Sequence, residues 1–455
     1  MSRRLALSLV MLAACSTVFA QTYTVLHNFG GGNGDPGGLW VDASISQGRG
    51  GHLFTTSPGS KTGIAAAFRI GPLGSLHVLR QWNSGASEPL SGLILGTDSN
   101  YYGITRSGGP DKLGTVYRVS GSGGFVTLHN FTGGSDGAGA WAVMQSAEGD
   151  YYVSTEGRGG SAGDTYGSLF RMTRDGNMTL LHAFSLSDGA SPLVLVEGTD
   201  SYFYGVTCCG GANGDGTIFR ISSSGDFQVL HNFDGADGQW PEAGLIQAND
   251  GNFYGTTIEG GSTGNGVLFR ITPGGTFTLL NDFQNGIVGG PSGRLVQATD
   301  GYLYGKASYG GDGYGAIFRA TLGGTITPLH SFSLKDGYNP DSQLMQHTNG
   351  KLYGGTYAGG KYNQGVFFSL DLGLSPFVTY LPAPGFAGTQ VQILGQGFTN
   401  NTKVFFNGTP AASTTVIYPT FLKATVPVGA TTGPITVTTS SGTLTSNKVF
   451  VIHPN

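Results

Sequence analysis

Five histidines, His27, His129, His182, His231 and His330, each follow a leucine and stand two positions before a phenylalanine. Imidazole serves as base, metal ligand or hydrogen-bond partner, so these positions are the first place to look for chemistry. Arg80 and Asn281 replace the histidine in two further copies of the same segment. Recurrence at one position in nearly every copy sets the histidines apart in space, and the expectation is a shared structural hydrogen bond. An aspartate followed by glycine recurs at Asp136, Asp188, Asp237 and Asp336, with Asp35-Pro36-Gly37 in the first copy. Its short side chain suits a turn-setting bond to nearby backbone. A calcium loop needs more alternating oxygen ligands than Asp234-Gly-Ala-Asp-Gly238 provides, so no cofactor is expected, weak calcium binding being the alternative left open. Arg69, Arg118, Arg171, Arg220, Arg270 and Arg319 recur likewise and are expected to tie neighbouring loops together. No paired carboxylates, Ser/His/Asp set or Cys/His metal spacing stands clear of this background.

Residues that do not recur are therefore the candidates for ligand contact. Glu88, Trp141, Cys208, Cys209, Trp240, Glu259, Tyr309, Tyr338 and Tyr357 fall in the longer, variable connections. Cys208 and Cys209 are adjacent and cannot staple distant parts of a fold. They are either incidental turn residues or a strained vicinal pair.

The elements that position these residues follow from the repeat. Leu26, Leu79, Leu128, Leu181, Leu230, Leu280 and Leu329 mark seven copies with steps of 53, 49, 53, 49, 50 and 49 residues. A period near fifty suits one four-stranded propeller blade. In the fifth copy Ala243–Ala248, Asn252–Thr257, Val267–Thr272 and the leucine-marked segment are short β-prone runs separated by Asp-Gly and Gly-Gly. Such pairs supply the positive φ of tight hairpins. If the first run is innermost, Tyr23–Phe29 is an outer strand with no inner strands before it, and it must complete the seventh sheet. The expected fold is all-β: a seven-bladed β-propeller over 21–373, closed by its N-terminal strand, then a small immunoglobulin-like β-sandwich over 376–455. In a propeller, the blade-to-blade connections and the turns between second and third strands share one face, and the candidates above lie there.

Composition agrees. The 455 residues include 81 glycines, and charged residues make up 11%, with a formal net charge of −4. No basic cluster could neutralise a row of phosphates, which excludes nucleic acid as a partner. Residues 1–20 place Arg3 and Arg4 before an apolar run and end in Val18-Phe19-Ala20, the order of an export leader. Leu12-Ala13-Ala14-Cys15 also has the form of a lipidation site, so cleavage after Ala20 and lipid attachment at Cys15 both stay open. The expected location is secreted, cell-surface or periplasmic, with an outer-membrane lipoprotein as the alternative. No membrane-length apolar run follows the leader.

The pattern Leu-His-x-Phe, Gly-Leu-Ile, Asp-Gly-Asn-x-Tyr-Gly-Thr-Thr and Gly-x-x-Phe-Arg, best seen in copies five and six, resembles the Gloeobacter/Verrucomicrobia (GloVer) tandem repeat of exported bacterial proteins across about residues 21–370. That resemblance implies architecture and export, and no activity. Gly388–Phe398, Val404–Gly408 and Gly433–Val437 resemble an IPT/TIG immunoglobulin-like domain, which implies a spacer or adhesive module. The functional expectation is a monomeric, non-enzymatic binding or adhesion protein for a surface polymer, glycan or protein. A secreted carbohydrate-active hydrolase or lyase using loop carboxylates, and a structural envelope component, are the alternatives.

Overall fold

The computed structural model describes residues 21–453 apart from 33, 41–42, 60–62, 83–87, 158–165 and 341. The leader and Cys15 lie outside the described residues. Among the described residues there is no α-helix; the repeat region forms seven sheets of four or five antiparallel strands, all but the last built from consecutive strands. The fifth sheet, for example, runs Ile246–Gln247, Phe253–Thr256, Val267–Ile271, Phe277–Asp282.

The last sheet is completed from the chain's beginning. Met345–Gln346, Leu352–Gly355 and Val366–Asp371 are joined by Thr22–Asn28, which pairs antiparallel with the third of them. Register shows why this strand fits. In every sheet one residue of the outer strand is bulged, and it is the marker leucine: Leu280 between Leu279 and Asn281 opposite Phe269 and Leu268, and Leu26 between Val25 and His27 opposite Phe368 and Phe367. A bulge twists its strand and turns the extra residue out of the ladder. Here its carbonyl meets a hairpin of the next sheet. Gly123 packs against Leu79, Gly176 against Leu128, and Gly74 of the first sheet against Leu26 of the last. Gly74 has φ of 94°, and a Cβ there would lie 2.2 Å from the Leu26 oxygen, so only glycine fits this approach.

A second contact repeats on the inner strands. Gln145 bonds Thr97 of the preceding sheet, Gln247 bonds Thr199, and Gln346 bonds Thr299. Gln47 of the first sheet bonds Thr348 of the last by the same pair of bonds, at 2.8 and 2.9 Å. The first and last sheets thus meet as any other two neighbours do. Closure gives Val366–Asp371 a partner strand, so the last sheet is not left one strand short.

The C-terminal residues form two further four-stranded sheets facing each other. Thr379–Tyr380, Gln390–Leu394, Phe421–Thr425 and Ser413–Tyr418 make one; Thr409–Pro410, Lys403–Phe406, Gly433–Thr439 and Gly442–Phe450 make the other. Val391, Ile393, Phe406, Leu422, Val437 and Phe450 fill the space between them.

This module is docked against the repeat region at the hairpins between first and second strands. Leu381, Leu394 and Phe421 share one core cluster with Phe54, Leu95 and Tyr101 of the first two sheets. The Arg49 guanidinium lies 4.7 Å over the Phe421 ring and donates to the Thr97 carbonyl and to Gln392 Oε1. Gln392 in turn donates to the Thr97 carbonyl at 2.7 Å, and Thr420 Oγ1 to the Arg49 carbonyl at 2.6 Å. Thr348 Oγ1, already the acceptor of Gln47, also accepts Gln396 Nε2 at 2.7 Å and donates to the Gly395 carbonyl. The module therefore sits across the seam where the first and last sheets meet.

Candidate binding face

Since each inner strand descends from a blade-to-blade connection, it begins on the face opposite the docked module. On that face a backbone bond pins the residue just past the second strand to the connection before the inner strand in four of the sheets. Arg106 donates to the Glu88 carbonyl at 2.9 Å, Glu156 to Gly139 at 3.0 Å, Ile258 to Trp240 at 3.2 Å and Tyr357 to Asn339 at 2.9 Å. The side chains at the corresponding positions differ from sheet to sheet: Pro58, Arg106, Glu156, Cys208, Ile258, Ser308 and Tyr357.

Three neighbouring members form a chain of contacts. Arg106 pairs with Glu156 at 2.7 Å across the second and third sheets, and its guanidinium lies 5.4 Å over the Trp141 ring. Both partners are largely buried, with 22% and 10% of their side-chain surface exposed, so the pair is held more firmly than a surface ion pair. Ser191 Oγ donates to the Glu156 carbonyl at 3.4 Å, and Ser191 lies opposite Cys208 where Ala190–Pro192 pairs with Phe203–Cys209. The interaction with Cys209 and then burial push the Cys208 thiol up, while the interaction with Cys208 holds Cys209 below the usual thiol value. Glu242 lies within electrostatic range of both.

Trp141, with Leu90, Ser91, Val194 and Gln343, lines a small pocket of about 20 Å³ on this face. The Ser91 hydroxyl is buried there without a hydrogen-bond partner. Inner segments of adjacent sheets pack closely beside it: a Cβ on Gly244 would stand 2.3 Å from Val194 Cγ1, and Arg294 Nε bonds the Leu245 carbonyl.

Glu88, Trp141, Cys208 and Cys209 belong to this arc, Glu88 through its backbone oxygen. The other expected residues lie around the rim. Trp240, 38% exposed with φ of 55°, and Glu259 are tied into one connection by the Gln239–Glu259 bridge. Tyr309 is 58% exposed. Tyr338 meets Tyr314 edge-on at 5.8 Å, and Tyr357 meets Trp40 at 5.2 Å. Sequence reading missed Arg106, Glu156, Ser191 and Glu242. Aligning the copies on the end of the second strand would have exposed the first two, because that column alone mixes cation, carboxylate, thiol and phenol.

The recurring residues prove to be scaffold. Nε2 of His27, His129, His182, His231 and His330 lies 2.8 to 3.1 Å from Asp35, Asp136, Asp188, Asp237 and Asp336. Those carboxylates also accept backbone N–H groups of their own turns. The arginines act within their own sheets more than between loops: Arg171 pairs with Asp150, Arg220 bonds Gln228, and Arg220 and Arg319 lie over Tyr202 and Tyr302. A strand side chain reaches the neighbouring strand before it reaches another sheet. Among the described residues no three His, Cys, Asp or Glu side chains are grouped to hold a metal ion.

Burial holds His182, His231 and His330 below the ordinary histidine value of 6.5, against the opposing pull of their aspartates. A histidine kept more neutral folded than unfolded adds stability above about pH 6.5, and that stability is lost as pH falls below it. Thermal melts from about pH 7.5 to about pH 5 should show a falling midpoint. His182→Asn with His231→Asn should flatten the slope, since Asn281 fills the same position unaided. An unchanged slope in the double variant would show that other groups set the pH dependence.

A model of the Gloeobacter/Verrucomicrobia repeat matches residues 141–368, and an IPT/TIG domain model matches 377–452. No curated protein matches the chain. Among solved structures, a lectin of Burkholderia pseudomallei is 10% identical and covers 73% of this chain and 96% of its own, with a TM-score of 0.54. A periplasmic gluconolactonase of Pseudomonas aeruginosa is 18% identical over 71% of this chain and 96% of its own, with a TM-score of 0.44. The lectin likeness shows a β-propeller-like fold.

Proposed function

Because the chain belongs to the Gloeobacter/Verrucomicrobia repeat family and carries a C-terminal IPT/TIG domain, we propose that it is an exported, non-enzymatic binding protein. In this reading it is a seven-bladed propeller that takes a saccharide unit of a surface polymer at the mouth between the second and fourth sheets. The leader-like residues 1–20 support export.

One observation carries the reading. The docked module occupies one face, while on the other the non-repeating Arg106 and Glu156 pair beside Trp141, whose ring lines a small pocket. An indole ring offers an apolar platform to a sugar face, and a braced cation and carboxylate direct hydrogen bonds to hydroxyls. Because the ion pair is already formed, little side-chain entropy is lost on binding.

The test is an array of glycans and envelope polymers, probed with the full chain and with Trp141→Ala and Arg106→Ala. Loss of a hot-spot aromatic or arginine should weaken binding by about tenfold or more. Binding that survives both substitutions refutes the mouth as the site. Turnover of a polysaccharide, abolished by Glu156→Gln or Glu259→Gln, would replace the binding reading with a hydrolytic or eliminative one.

A further inference from the structure

The hairpin 347–350 of the last sheet opens on a side chain that none of the other six sheets has there. Aligned by the bond that its N–H gives across the turn, this position is Gly48, Gly96, Ser146, Gly198, Ala248 and Ala298 elsewhere, and His347 here. Two residues on, Asp98, Asp200, Asp250 and Asp300 each accept the N–H that follows the turn and a tyrosine hydroxyl. Asn349 takes over both contacts, accepting the Lys351 N–H and donating to the Tyr353 oxygen. An imidazole has thus entered where four other sheets keep a carboxylate nearby and this one has none.

His347 is 2% exposed, and both its ring nitrogens are engaged. Nε2 donates to the Gly51 carbonyl of the first sheet at 3.0 Å, while Nδ1 accepts the Asn349 N–H at 3.1 Å. A ring that accepts at Nδ1 is neutral, and a proton there would face another N–H. Thr348, the next residue, bonds Gln47 of the first sheet and Gln396 and Gly395 of the C-terminal module, and its carbonyl accepts the Phe377 N–H. His347 therefore stands where the last sheet, the first sheet and the module meet.

The charged and titratable groups of the surrounding segments do not favour a cation. Arg49 and His52 lie on the first sheet's hairpin, and Lys351 and the Tyr353 phenol on the last sheet. Asp371, on the strand beside them, is paired with Lys351 at 2.9 Å. The contacting segments 374–377, 395–396 and 419–420 carry no charged residue.

We propose that His347 is an acid-operated latch, whose protonation opens this junction and releases the C-terminal module from the repeat region. A proton on Nδ1 displaces the Asn349 N–H, and with no carboxylate to meet the cation the hairpin must turn the ring toward water. Thr348 moves with it and gives up Gln396 and Gly395. The module keeps its own core when released. Burial holds His347 below the ordinary histidine value of 6.5, so docking is supported above about pH 6.5 and is lost as pH falls below it.

The experiment measures hydrogen-exchange protection of the full chain, relative to intrinsic rates, at about pH 7.5 and about pH 5. Protection across 347–350 and 395–398 should fall by about tenfold or more in the wild type, since linkage allows up to about tenfold per pH unit. His347→Ala installs the residue of the fifth and sixth sheets, and its protection there should be the same at both pH values. Asn349→Asp restores the carboxylate of four other sheets. It should raise the His347 titration, followed by NMR of the imidazole protons, by about one unit or more and keep the module docked at the lower pH. Wild-type protection that does not change, or an equal fall in His347→Ala, overturns the proposal. So does an equal loss across Phe203–Cys209, which would mark general acid unfolding.

Discussion

Removing Gln21–Phe29 is expected to abolish stable folding of the repeat region. The deletion strips the outer strand from the last sheet and opens the edge of Val366–Asp371 to pairing with other chains. It also removes Tyr23, which stacks on His330 at 3.9 Å and packs edge-on against Phe332, and Phe29, which is fully buried against Phe68. A milder form is Tyr23→Ala. Truncating a buried aromatic costs about 3–5 kcal/mol. That loss corresponds to a fall in Tm of roughly 5 °C for a domain of this size. A synthetic peptide spanning 21–29 should restore part of the Tm of the truncated chain in a dose-dependent way. A truncated chain that stays monomeric with an unchanged Tm would show that closure by this strand contributes nothing.

Phe421→Asp is the second large effect, and it acts from the other end of the chain. Phe421 is 2% exposed between Phe54, Tyr101 and the Arg49 guanidinium. A carboxylate there loses the apolar burial and must be desolvated, a combined cost of about 4 kcal/mol or more. The module keeps its own core of Val391, Ile393, Phe406 and Phe450, so it should detach without unfolding. Calorimetry is then expected to resolve two transitions where the wild type has one, with proteolysis appearing between residues 372 and 378. Because Thr348 joins the module to the Gln47 clasp, the repeat region should also melt earlier. A single transition at the wild-type temperature would mean that the docked interface carries no stability.

The architecture was legible along the chain because a repeated unit writes its constraints several times. Marker leucines gave the period, Asp-Gly and Gly-Gly gave the hairpins, and the orphan outer strand at Tyr23–Phe29 required a partner in the last sheet. The recurring histidines could be assigned to scaffold for the same reason: what recurs in every copy answers a need of every copy. The leucine's own role was not legible. Its bulge, and the glycine it faces in the next sheet, are relations between two segments about fifty residues apart.

The mouth was legible only in outline. Trp141, Cys208 and Cys209 stand out as residues that break the repeat, yet Arg106 and Glu156 look like ordinary charges about fifty positions apart. Ring geometry alone sets neighbouring blades side by side and turns that separation into a 2.7 Å ion pair. The docking of the module lay equally beyond reach, since Arg49, Thr348 and Phe421 come from three distant stretches and meet through surfaces with no shared period. Local chemistry and periodicity are properties of contiguous residues and survive in a string of letters. Contacts between segments that do not repeat depend on where the completed ring places them, and this protein's candidate site is made of such contacts.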